Sequence, residues 1–257
     1  MNALKQIWQV FLRGVRVLIR QPAYLGITLV QPIIWLLLFG ALFKSVIRIP
    51  GFHAGSYIDF LTPGVVVMLA VFSAGWSGMG FVEDINAGVM DRMLVSPVWR
   101  GALNAGTVIY AAFLVAIQTT VIVLLALVDG AHFGGGVGGV LLLVLIAALL
   151  GAGFASLSNG IGVLGRQRET VIGTVTFLQL PLTFLSGALM QQSLVPHWIH
   201  SIAEFNPVNW AVEAGRSAAM QKIDWSLVGS RIALLAGLAL LSAGFATWAF
   251  AKYQRSL

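Results

Sequence analysis

The chain has 257 residues, of which 58% are hydrophobic and only 9% charged, with a formal net charge of +6. An ordinary globular domain is about 25% charged, so this chain lacks the polar material to coat a soluble globule. A soluble enzyme, a disordered chain and a collagen-like fibre are excluded, and an integral membrane protein is implied.

The basic residues are spread thinly around apolar runs, which argues against nucleic acid as a partner. Cysteine is absent, so disulfides, thiol catalysis and thiolate metal sites are excluded together.

Residues 1–22 read as a basic amphipathic helix. At 100° per residue, Lys5, Gln6, Gln9, Arg13, Arg16 and Arg20 share one side, and Leu4, Ile7, Trp8, Phe11, Val15 and Leu18 fill the other. Such a helix lies in the membrane interface plane. It does not read as a cleavable signal peptide, because its charges are scattered and no compact apolar core is present.

Six uncharged stretches follow, at 23–43, 60–82, 103–128, 140–164, 171–190 and 232–250. Each approaches the 20 or so apolar residues that a helix needs to cross about 30 Å of hydrocarbon. Backbone polar groups inside lipid must be satisfied within the segment, so these are predicted helices. Pro32, Pro63 and Pro181 fall inside them, as membrane helices tolerate. The alternation of a β-barrel is missing. The fold class is therefore all-α, a single membrane domain over 1–257 with six transmembrane helices. A cytoplasmic N-terminus places ten basic residues inside and five outside, which the positive-inside rule favours. Both termini are expected inside.

Between the second and third spans, residues 83–100 carry Glu83, Asp84 and Asp91. From 84 to 94 the charges share one helical face and Val89, Met90, Met93 and Leu94 another, and Pro97 ends the pattern. A short amphipathic helix bounded by bends is expected there. Residues 191–230 form the longest connection, with Pro196, Trp198, Trp210 and Trp225. Tryptophan favours the membrane–water boundary, so short helices at or dipping into the outer interface are expected.

Chemical motifs are scarce. A phosphate-cradling G-x-x-x-x-G-K-[ST] loop is absent. Gly134 to Gly139 matches G-x-G-x-x-G formally but follows no strand. Gly75-Trp-Ser77-Gly78 resembles a protease nucleophile segment, yet His53, His132, His197 and His200 all fall in external loops, out of reach of a base role. All nine carboxylates lie at span ends or in loops. Ion-coupled carriers keep ionisable groups inside the membrane, so energy for transport is expected from a partner.

This arrangement resembles the membrane subunit of an ABC exporter of the ABC-2 permease class. The match rests on the interface helix, six spans with both ends inside, an acidic loop after span 2 and a re-entrant outer segment before the last span. Locally, Glu83-Asp84 with Gly88, Asp91, Arg92, Leu94, Pro97 and Arg100 resembles the family's cytoplasmic coupling segment, and Val89 and Met93 are its apolar anchors. Pro196, Trp198, Asn206, Pro207, Glu213 and Arg216 resemble its outer segment. The family pattern opens the coupling segment with a basic–acidic pair, where this chain has two acids.

The resemblance implies a permease paired with a second copy or a related permease, and two ABC ATPase subunits that hold ATP and Mg. This chain would bind no cofactor and no metal and would have no catalytic residues. It implies the bacterial cytoplasmic (inner) membrane, surrounded by lipid, and export of a hydrophobic or amphipathic cargo such as a drug or lipid. A polysaccharide or glycolipid exporter of the same class is the alternative, and an autonomous carrier or channel a weaker one. Spans 1, 2 and 5 form the cavity in that family. Gln31, Ser73, Thr176, Gln179, Thr183 and Ser186, with Trp35, Phe72, Trp76, Phe177 and Phe184, are the candidate cargo path here. Ordinary helix packing would use the same polar residues.

Overall fold

Helix is the sole regular structure among the described residues, which in this computed structural model are 2–44, 56–90, 99–189 and 196–255. Helix α1 (Ala3–Arg20) leads into α2 (Pro22–Leu42), whose first residue is a proline at the position where no backbone donor is needed. Next come α3 (Tyr57–Gly75) and α4 (Gly78–Asn86), α5 (Arg100–Val128) and α6 (Gly136–Gly165). The chain continues through α7 (Arg168–Phe184), α8 (His197–Ala203), α9 (Pro207–Ala219) and α10 (Trp225–Gln254).

Among the described residues, five stretches are long and apolar enough to cross a membrane: Pro22–Leu42, Tyr57–Asn86, Gly101–Val128, Gly136–Gly165 and Trp225–Gln254. They match predicted spans 1 to 4 and 6. The fifth predicted span, 171–190, is occupied by α7, which has only 17 residues. At 1.5 Å per residue that is about 26 Å, short of the hydrocarbon thickness. Its first turn carries Arg168 and Glu169, and the Leu185 N–H closes its other end on the Pro181 carbonyl at 2.8 Å.

Helix α6 is apolar around its whole circumference and packs against α3, α4, α5, α9 and α10. Such a helix belongs at the centre of a bundle. Its contact with α4 depends on two glycines. A Cβ at Gly162 would lie 2.4 Å from the Gly78 carbonyl oxygen, and one at Gly78 would lie 2.1 Å from the Ser158 carbonyl oxygen. Small residues let backbones approach this closely in membrane bundles.

The predicted second span is two helices. The ladder breaks at Trp76–Ser77, and Ser158 of α6 fills the break. Its hydroxyl donates to the Gly75 carbonyl and accepts from the Gly78 N–H at 3.0 Å. A second polar tie joins α5 to α6, where the Asn159 amide donates to Asn104 at 2.9 Å and the Asn104 amide to Ser156 at 3.1 Å.

Helix α1 lies along α5, with Val10 against Gly106 and Gly14 against the Tyr110 ring. Gln6 departs from the wheel. It is only 6% exposed rather than on the polar face, because its side-chain carbonyl accepts the Trp99 N–H at 2.9 Å at the start of α5. Helix starts need such acceptors. Phe81, Met90, Leu103, Val163, Phe250 and Tyr253 form one cluster, with Val10 packed against it. It brings α1, the far ends of α4, α6 and α10, and the start of α5 to the same end of the bundle.

Candidate functional site

A cleft opens between α2, α3 and α7. Helix α2 contributes Thr28, Gln31, Pro32 and Trp35, and α3 contributes Val65, Met68, Leu69 and Phe72. Both sets fall at i, i+3, i+4 and i+7, one face of an α-helix. Helix α7 supplies Gln179, Leu180, Thr183 and Phe184. The walls are apolar and aromatic with a few polar groups, the usual make-up of a small-molecule site. None of these lining residues carries a formal charge.

Gln31, Trp35, Phe72, Gln179, Thr183 and Phe184 of the predicted path meet in this cleft. The remaining candidates lie elsewhere. The Ser186 hydroxyl donates to the Thr183 carbonyl at 2.6 Å and accepts from the Ala188 N–H at 3.3 Å, so it shapes the turn after α7. Thr176 and Phe177 point away from the bundle and are exposed. Trp76 sits at the α3–α4 break, edge-on to Phe72 with ring centroids 6.2 Å apart. The Ser73 hydroxyl oxygen is buried without a hydrogen-bond partner among the described residues.

At the end of the bundle that carries α1, the two adjacent acids face different neighbours. Both Asp84 oxygens accept from Arg13 of α1, at 2.8 and 2.5 Å. Glu83 accepts from Arg168, the first residue of α7, at 3.1 Å. The Arg13 pKa is raised, chiefly by the Asp84 hydrogen bond and further by its charge, with desolvation opposing. The expected helix over 84–94 is interrupted. Asp84 belongs to the last turn of α4, Gly88 takes φ +64°, a left-handed value suited to glycine, and helix resumes at Val89 and Met90. Asp91, Arg92, Met93, Leu94 and Pro97 lie outside the described residues, and Arg100 begins α5.

A model of the ABC-2 type transporter family matches residues 5–220 of this chain. The chain belongs to the ABC-2 type transporter family. It is similar to the daunorubicin resistance ABC transporter permease protein DrrB1 of Streptomyces coeruleorubidus, with 31% identity covering 84% of this chain and 76% of the relative. The inner membrane transport permease YadH of Escherichia coli strain K12 is 29% identical, covering 83% and 81%. The putative transport permease ycf38 of Porphyra purpurea is 28% identical, covering 83% and 73%. The chain is therefore a membrane permease subunit of an ABC transporter, a class in which the ATPase is a separate subunit.

At the opposite end of this ABC-2 permease, the segment before α10 is closely tied to the bundle. Pro196 precedes α8, on which Trp198 is exposed. Asn206 caps α9 by accepting the Val208 N–H at 2.9 Å, with Pro207 as its first residue. The Asn206 amide also donates to the Leu182 carbonyl at 2.7 Å, which anchors α9 to the end of α7. Glu213 accepts from Asn209 at 2.9 Å and from Arg231 of α10 at 2.8 Å. Arg216 lies over the Phe60 ring at 3.6 Å and donates to the Phe60 carbonyl at 3.3 Å and the Ala188 carbonyl at 3.1 Å. Desolvation lowers its pKa to about 9, against the raising influence of Tyr57 and Glu213, so it stays cationic at neutral pH.

Sequence reasoning missed Thr28, Pro32, Val65, Met68, Leu69 and Leu180 of the cleft. A signal was present in the permease sequence: helical spacing from Gln31 and Trp35 reaches Thr28 and Pro32, and spacing from Phe72 reaches Val65, Met68 and Leu69. Apolar residues with that spacing also describe ordinary core, so spacing by itself could not separate them.

Proposed function

We propose that this permease forms the membrane path of an ATP-driven exporter for a hydrophobic or amphipathic cargo, and that the cleft between α2, α3 and α7 receives it. The observation that carries this reading is the convergence of six predicted path residues on one uncharged, aromatic-rich cleft. A drug or lipid-like molecule suits such walls better than a polysaccharide, which would need many more hydrogen-bonding groups.

In this reading α7, continued by the turn through 185–189, completes a set of six crossings. Helix α1 lies in the cytoplasmic interface of a bacterial inner membrane, and α8 with α9 forms the re-entrant outer segment. Both chain ends are cytoplasmic, supported by the charge asymmetry and by α1 and the end of α10 sharing one end of the bundle. Two ATPase subunits bind ATP and Mg, a second permease completes the pathway, and this chain binds no cofactor of its own. Residues 83–100 meet the ATPase, with Val89 and Met93 as apolar anchors and Asp91, Arg92, Pro97 and Arg100 setting the register.

The test is ATP-driven movement of a fluorescent amphiphile in vesicles holding the complete complex. Leu69→Trp, which narrows the cleft, should strongly reduce transport while the ATPase still co-purifies. Undiminished transport by that variant would remove the cleft from the cargo path.

A further inference from the structure

The polar groups of the cleft are not equivalent. The Thr28 hydroxyl is already committed, donating to the Leu25 carbonyl at 3.0 Å and accepting from Gln118 at 2.9 Å. Gln179 and Thr183 are different. They stand one turn apart on α7 and both line the cleft. They are only 8% and 5% exposed, yet neither side chain hydrogen-bonds to any described residue. Most of each side chain is covered, but the unpaired polar atoms open onto the cleft, where a ligand can reach them. Across the cleft, Pro32 has no N–H to offer the Thr28 carbonyl, which loses its usual intrahelical donor. The site therefore offers an amide donor, a hydroxyl donor and several acceptors, all uncharged.

Resting on the cargo-path reading above, the geometry points to Gln179 and Thr183 as the recognition pair for an uncharged, hydroxyl-bearing headgroup of a single-tailed or double-tailed amphiphile. A hydroxyl-rich headgroup both donates and accepts, and so satisfies the amide and the hydroxyl together. A primary ammonium or a sulfate headgroup is strongly hydrated in water. Among Trp35, Phe72 and Leu69 it would be desolvated with no counter-charge and too few hydrogen-bond partners to replace that shell, which is unfavourable in a low-dielectric site. The tail would lie against Leu180 and Phe184, the latter 59% exposed at the rim.

The experiment uses the complete permease–ATPase complex in nanodiscs. Three probes share one dibrominated alkyl chain and differ in headgroup: a glycerol ether, a primary ammonium and a sulfate. Bromine quenches nearby indoles, and subtracting the Trp35→Phe signal isolates quenching at the cleft. The glycerol ether should quench Trp35 saturably, and the two charged probes should not. Gln179→Leu with Thr183→Val should weaken the glycerol ether about tenfold, as loss of two neutral hydrogen bonds predicts, whereas Thr183→Ser should keep its affinity. Gln179→Glu should admit the primary ammonium probe. Equal quenching by all three probes, or unchanged affinity in the double variant with co-purification intact, would overturn the headgroup inference and leave the cargo path standing. Absence of saturable Trp35 quenching by any probe would overturn both.

Discussion

Asp84 receives both guanidinium nitrogens of Arg13, at 2.8 and 2.5 Å, and so fastens α1 to the end of α4 across 71 positions of sequence. Arg13 is half exposed and Asp84 mostly covered. A bidentate pair of this kind contributes about 1 kcal/mol or less once solvent screening is counted. A double-mutant cycle with Arg13→Ala and Asp84→Ala, followed by unfolding in detergent, should give a coupling of about 0.5–1 kcal/mol. Strict additivity of the two single changes would show that the pair holds nothing together.

The neighbouring pair, Glu83 with Arg168, is exposed on both sides. Charge reversal at Glu83 should barely change the unfolding free energy, by about 0.5 kcal/mol at most. A large loss of ATPase stimulation in the same variant would then report contact with the partner and not a stability defect. A destabilisation above about 2 kcal/mol would contradict the exposed geometry.

The α4–α6 contact leaves no room for a methyl group. Gly162→Ala places a carbon 2.4 Å from a backbone oxygen, and a backbone cannot yield as a flexible side chain would. Overpacking of this type costs about 1–3 kcal/mol. Gly80→Ala, on the facing helix α4 but with open space around it, is the control and should be neutral. Equal stability of the two variants in detergent would refute the close approach.

Ser158→Ala removes the hydroxyl that serves both the Gly75 carbonyl and the Gly78 N–H. Both backbone groups are left buried, with an expected cost of about 1–3 kcal/mol. Ser158→Thr keeps the hydroxyl but adds a methyl where the helices touch, so it should rescue only in part. Full stability of the alanine variant would mean that the α3–α4 break is held by other contacts.

Arg216 joins α9 to the start of α3 and to the turn after α7 through two carbonyls and one aromatic face. Lysine has one charged point on a flexible stem and cannot reach all three at once. Arg216→Lys should therefore lose stability by about 1–2 kcal/mol despite keeping the charge. A lysine variant indistinguishable from the parent in detergent unfolding would reduce Arg216 to a generic cation.

Some of this was open to sequence reasoning, and some was not. The number and rough limits of the apolar helices are local properties, since about 20 consecutive apolar residues leave few alternatives in a membrane. Span 5 was the exception, because apolar composition continued past Phe184 while the helix stopped. The family match was likewise legible in the order of elements and in the spaced residues of 83–100 and 196–216. Gln6 was misplaced because its burial answers a need of α5, to cap the Trp99 N–H, which no wheel drawn for α1 contains.

Hydropathy and charge patterning by themselves established a helical membrane protein, and the resemblance carried by residues 83–100 and 196–216 added the permease class, because each depends on residues close together in the chain. The resemblance pointed to spans 1, 2 and 5, but only the tertiary structure decided which of their residues face one cleft, since residues 28–35 and 179–184 are brought together by α3, which contacts both α2 and α7. It also decided that Glu83 and Asp84 bind Arg168 and Arg13, and that Gln179 and Thr183 turn unpaired polar atoms to the cleft. Those facts depend on distances between segments far apart in sequence, which composition and periodicity do not encode.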